Sequence, residues 1–305
     1  VLFTFPGQGA QQPGMLHALP EHAETRRTLD EAQATLGQDV LALDSETALA
    51  STVAVQLCLL VAGVAMARVL AAHGARPQMV AGLSIGAYPA AVTAGVLDFS
   101  DAVRLVALRA RLMEEAYPSG YGMTAVSGLV RAELEPLIAR VHGVAQPVYL
   151  ANLNAPRQLV IAGSEEAMDA VGALALAAGA QCVRRLAVSV PSHCELFAGQ
   201  ARAMEAAFGE VTLRRPQPVF ISSSAARALF DPGRIAQDLA GNLACPVLWY
   251  DTVRHAWERG ARLAIEMPSG SVLTRLTQPA FEGGVALACA DNRLDSIFRL
   301  VADAG

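Results

Sequence analysis

An apolar run from Met79 to Leu83 breaks at a serine flanked by glycines and resumes as a helical pattern through Ala90, Ala91, Val92 and Val96. A buried strand that turns straight into a helix admits few architectures. It belongs to layered α/β folds, in which parallel strands feed crossover helices. At the junction stands Gly82-Leu83-Ser84-Ile85-Gly86. This Gly-x-Ser-x-Gly spacing is that of a nucleophile elbow: a strained turn lifts the serine hydroxyl clear of the backbone, and the glycines let strand and helix pass closely. The helix N-terminus behind the serine points free N–H groups at any oxyanion forming nearby. The same five residues can also form an ordinary turn, but their place after a strand and before a helix favours the catalytic reading.

The rest of the chain fits that frame. Val1 to Phe5 is a short apolar strand that runs into Pro6-Gly7-Gln8-Gly9-Ala10-Gln11-Gln12, a loop rich in glycine and amides. It is either a plain connection or, as its three glutamines favour, a site loop whose glycines let backbone N–H groups approach a ligand. The pattern predicts helices over Leu16–Leu43, broken at Gly37, and over Asp44–Ala72, closing at His73-Gly74. Between Met123 and Val190 the rhythm changes to β-α-β-β-α-β, the ferredoxin-like order, with a last strand over Gln181–Val190. The expected organisation is therefore an α/β-hydrolase-like large domain with a parallel sheet, residues 1–120 and 191–305, carrying an inserted ferredoxin-like small domain, residues 121–190. Further strands are expected at Pro218–Ser223, Leu263–Met267 and Ala286–Cys289.

Two more residues carry chemistry. Ser100-Asp101 starts a helix whose apolar stripe comprises Ala102, Leu105, Val106, Leu112, Met113 and Ala116, and Arg109 falls in the middle of it. A core-facing guanidinium keeps its proton and must meet an anion or several acceptors. An internal salt bridge or a snorkelling side chain would satisfy it; so would a substrate carboxylate held bidentately. His193 follows the strand ending at Val190, where active-site residues of α/β folds gather, and it is a candidate general base or a satisfied structural histidine. The other five histidines lie in charged or helical-surface contexts.

Composition narrows the alternatives. The net charge is −5 with no basic run, which argues against nucleic-acid binding. All 23 cationic side chains are arginine, so no amine is present for a Schiff base, a Ser-Lys dyad or a phosphate-binding P-loop. Five scattered cysteines form no CxxC pair, so neither a zinc site nor a disulfide framework is indicated, and a cytoplasmic setting is the expectation. The most apolar window, Val53 to Leu70, contains Gln56 and Arg68 and is predicted to be a buried core helix rather than a membrane span.

Four separated segments, Phe5-Pro6-Gly7-Gln8-Gly9-Ala10-Gln11, Gly82-Leu83-Ser84-Ile85-Gly86, Leu108-Arg109 and Val190-Pro191-Ser192-His193, together resemble the malonyl-CoA:acyl-carrier-protein transacylase family; Asn154 to Gly163 is similar to the family's small-domain hairpin. The resemblance implies ping-pong transfer of a malonyl group through Ser84, with His193 as base and backbone N–H groups of Gln8 and Ile85 as oxyanion hole. It implies Arg109 as receptor for the malonyl carboxylate; Asn154 and Gln158 either line the cleft or stabilise the hairpin. Malonyl-CoA is then the donor and the phosphopantetheine-type thiol of a carrier protein the acceptor, with no metal and no tightly bound cofactor. The family supports its histidine with a backbone carbonyl, so no acidic third member is required; Asp251 and Glu266 are the acidic candidates.

Several positions depart from the family pattern. Leu83 stands for a usual His, Gly86-Ala87 for Gly-Glu, Leu248 for Gln, and Pro268-Ser269-Gly270 for Gly-Pro-Gly. The variant Leu-Ser-Ile-Gly-Ala-Tyr-Pro resembles the transacylase (epsilon) subunit of bacterial malonate decarboxylase, which implies the other subunits of that enzyme as partners. Fatty-acid synthesis is the alternative setting. A serine hydrolase or thioesterase and a non-catalytic interaction module are the rival functions.

Overall fold

The structure is a computed structural model, and it describes residues 1–304. β1 (Leu2–Phe5) is buried at every position, as expected of a strand covered on both faces. α1 (Ala23–Leu36) is capped at its start by His22, whose Nδ1 accepts from Glu24 N, and closed by Gly37 at φ 68°. α2 (Thr52–Ala72) is long and apolar enough to cross a membrane, but 89% of its most apolar stretch is buried inside the protein, so it is the central core helix. β2 (Met79–Gly82) leads through a 3-10 turn, Ser84–Gly86, into α3 (Ala87–Thr93) and α4 (Phe99–Ala116). Then come β3 (Tyr121–Ser127), α5 (Arg131–Val141), β4 (Val148–Ala155), β5 (Gln158–Ser164), α6 (Glu165–Ala177) and β6 (Cys182–Arg185). The chain finishes with α7 (Ala198–Phe208), β7 (Val219–Ser222), β8 (Arg227–Leu229), α8 (Pro232–Gly241), α9 (Trp249–Glu258), β9 (Leu263–Glu266), α10 (Val272–Thr277), β10 (Val285–Ala288) and α11 (Leu294–Asp303).

Two sheets organise these elements. The larger has the order β10-β9-β1-β2-β7-β8 and is parallel except where β8 pairs antiparallel with β7. β1 lies between β2 and β9, so the strand order reverses around it, and crevices form beyond the C-terminal ends of strands at such a point. Phe5 is in register with Gly82. The Gly7 loop and Ser84 therefore leave the sheet side by side.

The smaller sheet has the order β4-β5-β3-β6, is antiparallel throughout, and has the predicted ferredoxin-like connectivity. Period-2 alternation gives it two characters. Val126, Leu159 and Ile161 pack on one face with Leu134 and Ile138 of α5 and Met168 and Val171 of α6. Met123, Ala125 and Val160 face the other way, into a cleft against the larger sheet. Its docking is through backbone: Leu153 N donates to Val247 O at 2.8 Å and Val247 N to Ala151 O at 2.9 Å.

Several predicted boundaries move. Residues 16–20 are turns rather than helix, and the Asp44 carboxylate accepts from Leu16 N at 2.8 Å and from His17 N at 3.3 Å. α2 starts at Thr52 instead of Asp44, where Ser51 Oγ accepts from Val53 N and Glu114 from Thr52 N. α4 starts at Phe99, one residue before the predicted Ser100 cap; Asp98 holds Arg214 and Asp101 holds Arg104. The strand predicted over Gln181–Val190 ends at Arg185, and the irregular stretch after it lines the cleft. β8 and the helix at Trp249 had no counterpart in the sequence pattern.

Candidate active site

Ser84 sits where β2 ends, with φ at 57°, a left-handed conformation that costs a side-chain-bearing residue on the order of 1–2 kcal/mol. The glycines are required by contact. A Cβ on Gly82 would lie 2.0 Å from the Gly86 carbonyl carbon, and one on Gly86 would lie 2.1 Å from Phe5 O. The Leu83 N–H donates to Phe5 O at 3.0 Å, binding the elbow to the neighbouring strand. Ile85 follows in the first turn and is fully buried, while Gln8 lines the cleft beside Ser84 from the adjoining loop.

His193 is the second residue held in the left-handed region, with φ at 66°. Its backbone N donates to Leu243 O at 2.8 Å and its Nδ1 lies 2.7 Å from Asn242 O. A carbonyl oxygen only accepts, so Nδ1 carries the proton and Nε2 is left as the basic nitrogen. Burial, and then the positive charge of Arg109, push the imidazole down to about 4, so it is neutral and able to take a proton at ordinary pH. The supporting group is thus a backbone carbonyl, and it belongs to Asn242. The carbonyl of Leu248 is engaged inside α9, accepting from Thr252 N at 2.9 Å and Thr252 Oγ1 at 2.7 Å. Neither acidic candidate plays the part. Asp251 is exposed, and Glu266 caps α10, accepting from Leu273 N at 3.0 Å and Thr274 N at 2.6 Å.

Arg109 faces the core as its helical position required, and it is fully buried. Its Nη1 donates to Gln56 Oε1 at 2.6 Å, and its Nη2 donates to Asn242 Oδ1 at 3.2 Å and to Ser84 Oγ at 3.3 Å. Its Nε is buried without a partner. Among the described residues no carboxylate pairs with it, so the internal salt bridge is not the outcome. Burial lowers its pKa from the ordinary value, yet a guanidinium keeps its proton. An uncompensated buried charge costs roughly several kcal/mol. Here that charge stands beside the serine hydroxyl, whose hydrogen bond in this structure is with Arg109 rather than with His193.

A cavity of about 410 Å³ brings Ser84, His193, Gln8, Asn154 and Gln158 together. Asn152 lines it as well and was not singled out from sequence. The signal was the i, i+2 spacing of Asn152 and Asn154 on one strand, which puts both on one face. Both have a buried Oδ1 without a partner. Gln56 and Asn242 were also missed. A glutamine inside the apolar run of α2 needs a partner when buried, which marked Gln56; nothing local marked Asn242. Among the described residues, no group of three or more His, Cys, Asp or Glu side chains is placed to hold a metal ion.

The geometry has counterparts in known proteins. A family model described as the acyl transferase domain matches residues 2–292. The malonyl CoA-acyl carrier protein transacylase of Escherichia coli (strain K12) is 38% identical over 282 residues, covering 90% of this chain and 91% of that protein. A crystal structure of an acyl carrier protein S-malonyltransferase from Vibrio cholerae matches with a TM-score of 0.91 and 36% identity, covering 97% of this chain and 99% of that one. A malonyl-transacylase solved in complex with a type II PKS acyl-carrier protein matches with a TM-score of 0.91 and 36% identity, covering 99% of each chain.

Proposed function

The chain belongs to the acyl transferase domain family, among the malonyl CoA-acyl carrier protein transacylases, and on that footing we propose that it moves a malonyl group from malonyl-CoA to a carrier-protein thiol by way of malonyl-Ser84. Residues 1–120 and 191–305 form the catalytic part in this reading, and 121–190 the insert that closes the cleft. Ser84 Oγ attacks the thioester carbonyl while its proton passes to His193 Nε2. The oxyanion lies at the backbone N–H groups of Ile85 and Gln8, in the first turn after the serine and in the neighbouring loop. As the carbonyl re-forms, the C–S bond breaks and the departing CoA thiolate takes the proton from His193. The carrier thiol then repeats the steps in reverse order, giving up its proton to His193 as its sulfur bonds to the acyl carbon, and Ser84 recovers a proton from the imidazolium.

The single observation behind the malonyl assignment is the fully buried Arg109, without an acidic partner and 3.3 Å from Ser84 Oγ. A free carboxylate on the acyl group would supply the missing counter-charge where the ester forms. Ser84 Oγ only accepts from Arg109, so its own proton stays free to be donated toward His193. The unpartnered Oδ1 atoms of Asn152 and Asn154 suit the amide N–H donors of a pantetheine-type arm.

The carrier is taken to be an acyl carrier protein, as the names of the relatives state for those proteins. The carrier of a malonate decarboxylase is the second reading, favoured by the Leu83-Ser84-Ile85-Gly86-Ala87-Tyr88-Pro89 variant alone. Incubation with malonyl-CoA followed by intact-mass measurement should show one malonyl adduct on the wild type and none on Ser84→Ala. Adding either carrier should then discharge the adduct onto its thiol. Release of free malonate instead would identify a hydrolase, and an unmodified wild type would end the proposal.

A further inference from the structure

Asn242 opens the 3-10 turn that follows α8, and it is buried. It touches all three groups on which the proposed chemistry rests. Its main-chain carbonyl accepts from His193 Nδ1 at 2.7 Å. Its Oδ1 accepts from Arg109 Nη2 at 3.2 Å, and its Nδ2 donates to the main-chain oxygen of Ser84 at 3.4 Å. Any residue could lend the carbonyl. The side-chain pair is another matter: an amide presents one acceptor and one donor at fixed separation and carries no charge, whereas a carboxylate offers no donor.

The absence of charge is what matters. A carboxylate at position 242 has nearly the same shape and would bind Arg109 more strongly, through a charge-assisted hydrogen bond. It would also neutralise the guanidinium, repel an incoming carboxylate, and set a second acceptor against the Ser84 carbonyl, which needs a donor. Gln56 supplies the same kind of neutral acceptor from α2, at 2.6 Å from Arg109 Nη1. Two amides from different elements therefore hold the guanidinium in place and leave its charge uncompensated.

We infer that Asn242 is a specificity-positioning residue: its neutral side chain fixes Arg109 against the backbone of the nucleophile while reserving the cation for the carboxylate of the acyl group. The inference rests on the malonyl-transfer reading and says how selection for a diacid is built. It also links the two tasks of the site, because the residue that holds the carboxylate receptor carries the carbonyl that sets the base.

The test is Asn242→Asp in the full chain, with kcat/KM measured for malonyl-CoA and for acetyl-CoA, a donor without a free carboxylate. The wild type is first checked for the malonyl adduct, whose absence would count against the function and not against this residue. With the adduct present, the malonyl-to-acetyl preference of Asn242→Asp should fall by about 30-fold or more, the size of a lost charge contact. Its melting temperature should hold or rise, since a buried cation gains a counter-charge. A merely structural asparagine would lower both donors together, so a folded variant with an unchanged preference overturns the inference. If Asn242→Asp does not fold, Gln56→Glu places a carboxylate on the other guanidinium nitrogen from a different helix. The same fall in preference is expected there, and an unchanged preference is equally fatal.

Discussion

The two walls of the cleft differ in kind. The wall built on the larger sheet holds Ser84 and His193, both in left-handed backbone, and behind them a buried guanidinium without a counter-charge. The facing wall, from the smaller sheet, offers Asn152, Asn154 and Gln158 with apolar Met123, Ala125 and Val160 and with Arg184 and Arg185 of β6; the register of β4 shifts between Leu150 and Asn152 and between Leu153 and Ala155. Strain and a buried charge without a partner are concentrated on one side; the other carries unpartnered neutral amides, with the exposed Arg184 and Arg185 of β6 beside them. Each wall therefore answers to different physics. On the first, a substitution changes which charge the site tolerates and when a proton moves. On the second, it changes how well a neutral, extended ligand is held.

The largest effect that separates them is expected at Arg109. Arg109→Ala removes the cation from the strained wall. Its malonyl kcat/KM should fall by roughly 10- to 1,000-fold, while acetyl transfer changes far less. Steady-state kinetics with both CoA esters measures it. Equal losses for the two donors would mean that charge on this wall serves the fold and not selection.

His193 gives the next effect, and it appears in stability. Burial and the Arg109 charge hold the folded-state imidazole down to about 4, against an ordinary value of 6.5. Above pH 6.5 neither state binds the proton and stability is unaffected. As pH falls from 6.5 toward 4 the unfolded chain takes a proton that the folded one refuses, so stability falls, by up to about 3 kcal/mol at the end of that window. Urea unfolding at pH 7 and pH 4.5 should show a smaller loss for His193→Gln than for the wild type. The same low value puts the acid limb of the kcat/KM profile near pH 4. An acid limb near 6.5, or equal losses of stability, would show that the imidazole is not held neutral by its surroundings.

The asymmetry also explains what could be read from the sequence. Ser84 and Arg109 were legible because each breaks a local rule: a serine between close-packed glycines, a cation in an apolar stripe. The sequence pattern puts His193 after a strand that runs to Val190, but β6 ends at Arg185, and the histidine reaches the cleft from irregular backbone. The parallel sheet and the β-α-β-β-α-β unit were legible because burial on two faces and period-2 alternation leave continuous patterns. Asn242 was not, since its three hydrogen bonds reach residues 49, 133 and 158 positions away. Asn152 was hidden in an ordinary strand, and the carbonyl that supports His193 has no side-chain identity at all. The start of α2 was misplaced because Glu114 acts on a backbone N–H group 62 residues distant.

On the facing wall a smaller effect of opposite sign is expected. Asn152 and Asn154 each bury a carbonyl oxygen with nothing to accept from, so the free protein bears a cost that a bound ligand would remove. Asn152→Ala and Asn154→Ala should each raise KM by roughly 3- to 10-fold with little change in kcat, and should leave the free protein as stable as the wild type or slightly more so. Kinetics on malonyl-CoA paired with thermal unfolding reads both. A fall in stability with KM unchanged would make these asparagines structural.

The smallest effect addresses strain alone. Ser84 holds φ at 57°, where any side chain is disfavoured and glycine is not. Ser84→Gly should therefore stabilise the protein, although it removes the proposed nucleophile and the Arg109 contact. The relief of left-handed strain is on the order of 1 kcal/mol, reduced by the extra freedom glycine gains in the unfolded chain. The matched change on the other wall, Asn154→Gly, lies in β4 outside the left-handed region, and should cost about 0.5–1 kcal/mol. Chemical denaturation of the two variants beside the wild type gives the signs directly. Opposite signs mean that strain is stored on the nucleophile's wall alone. If both variants are destabilised, the turn at Ser84 is set by its surroundings at no measurable conformational cost, and only the buried, uncompensated charge of Arg109 is left to tell the two walls apart.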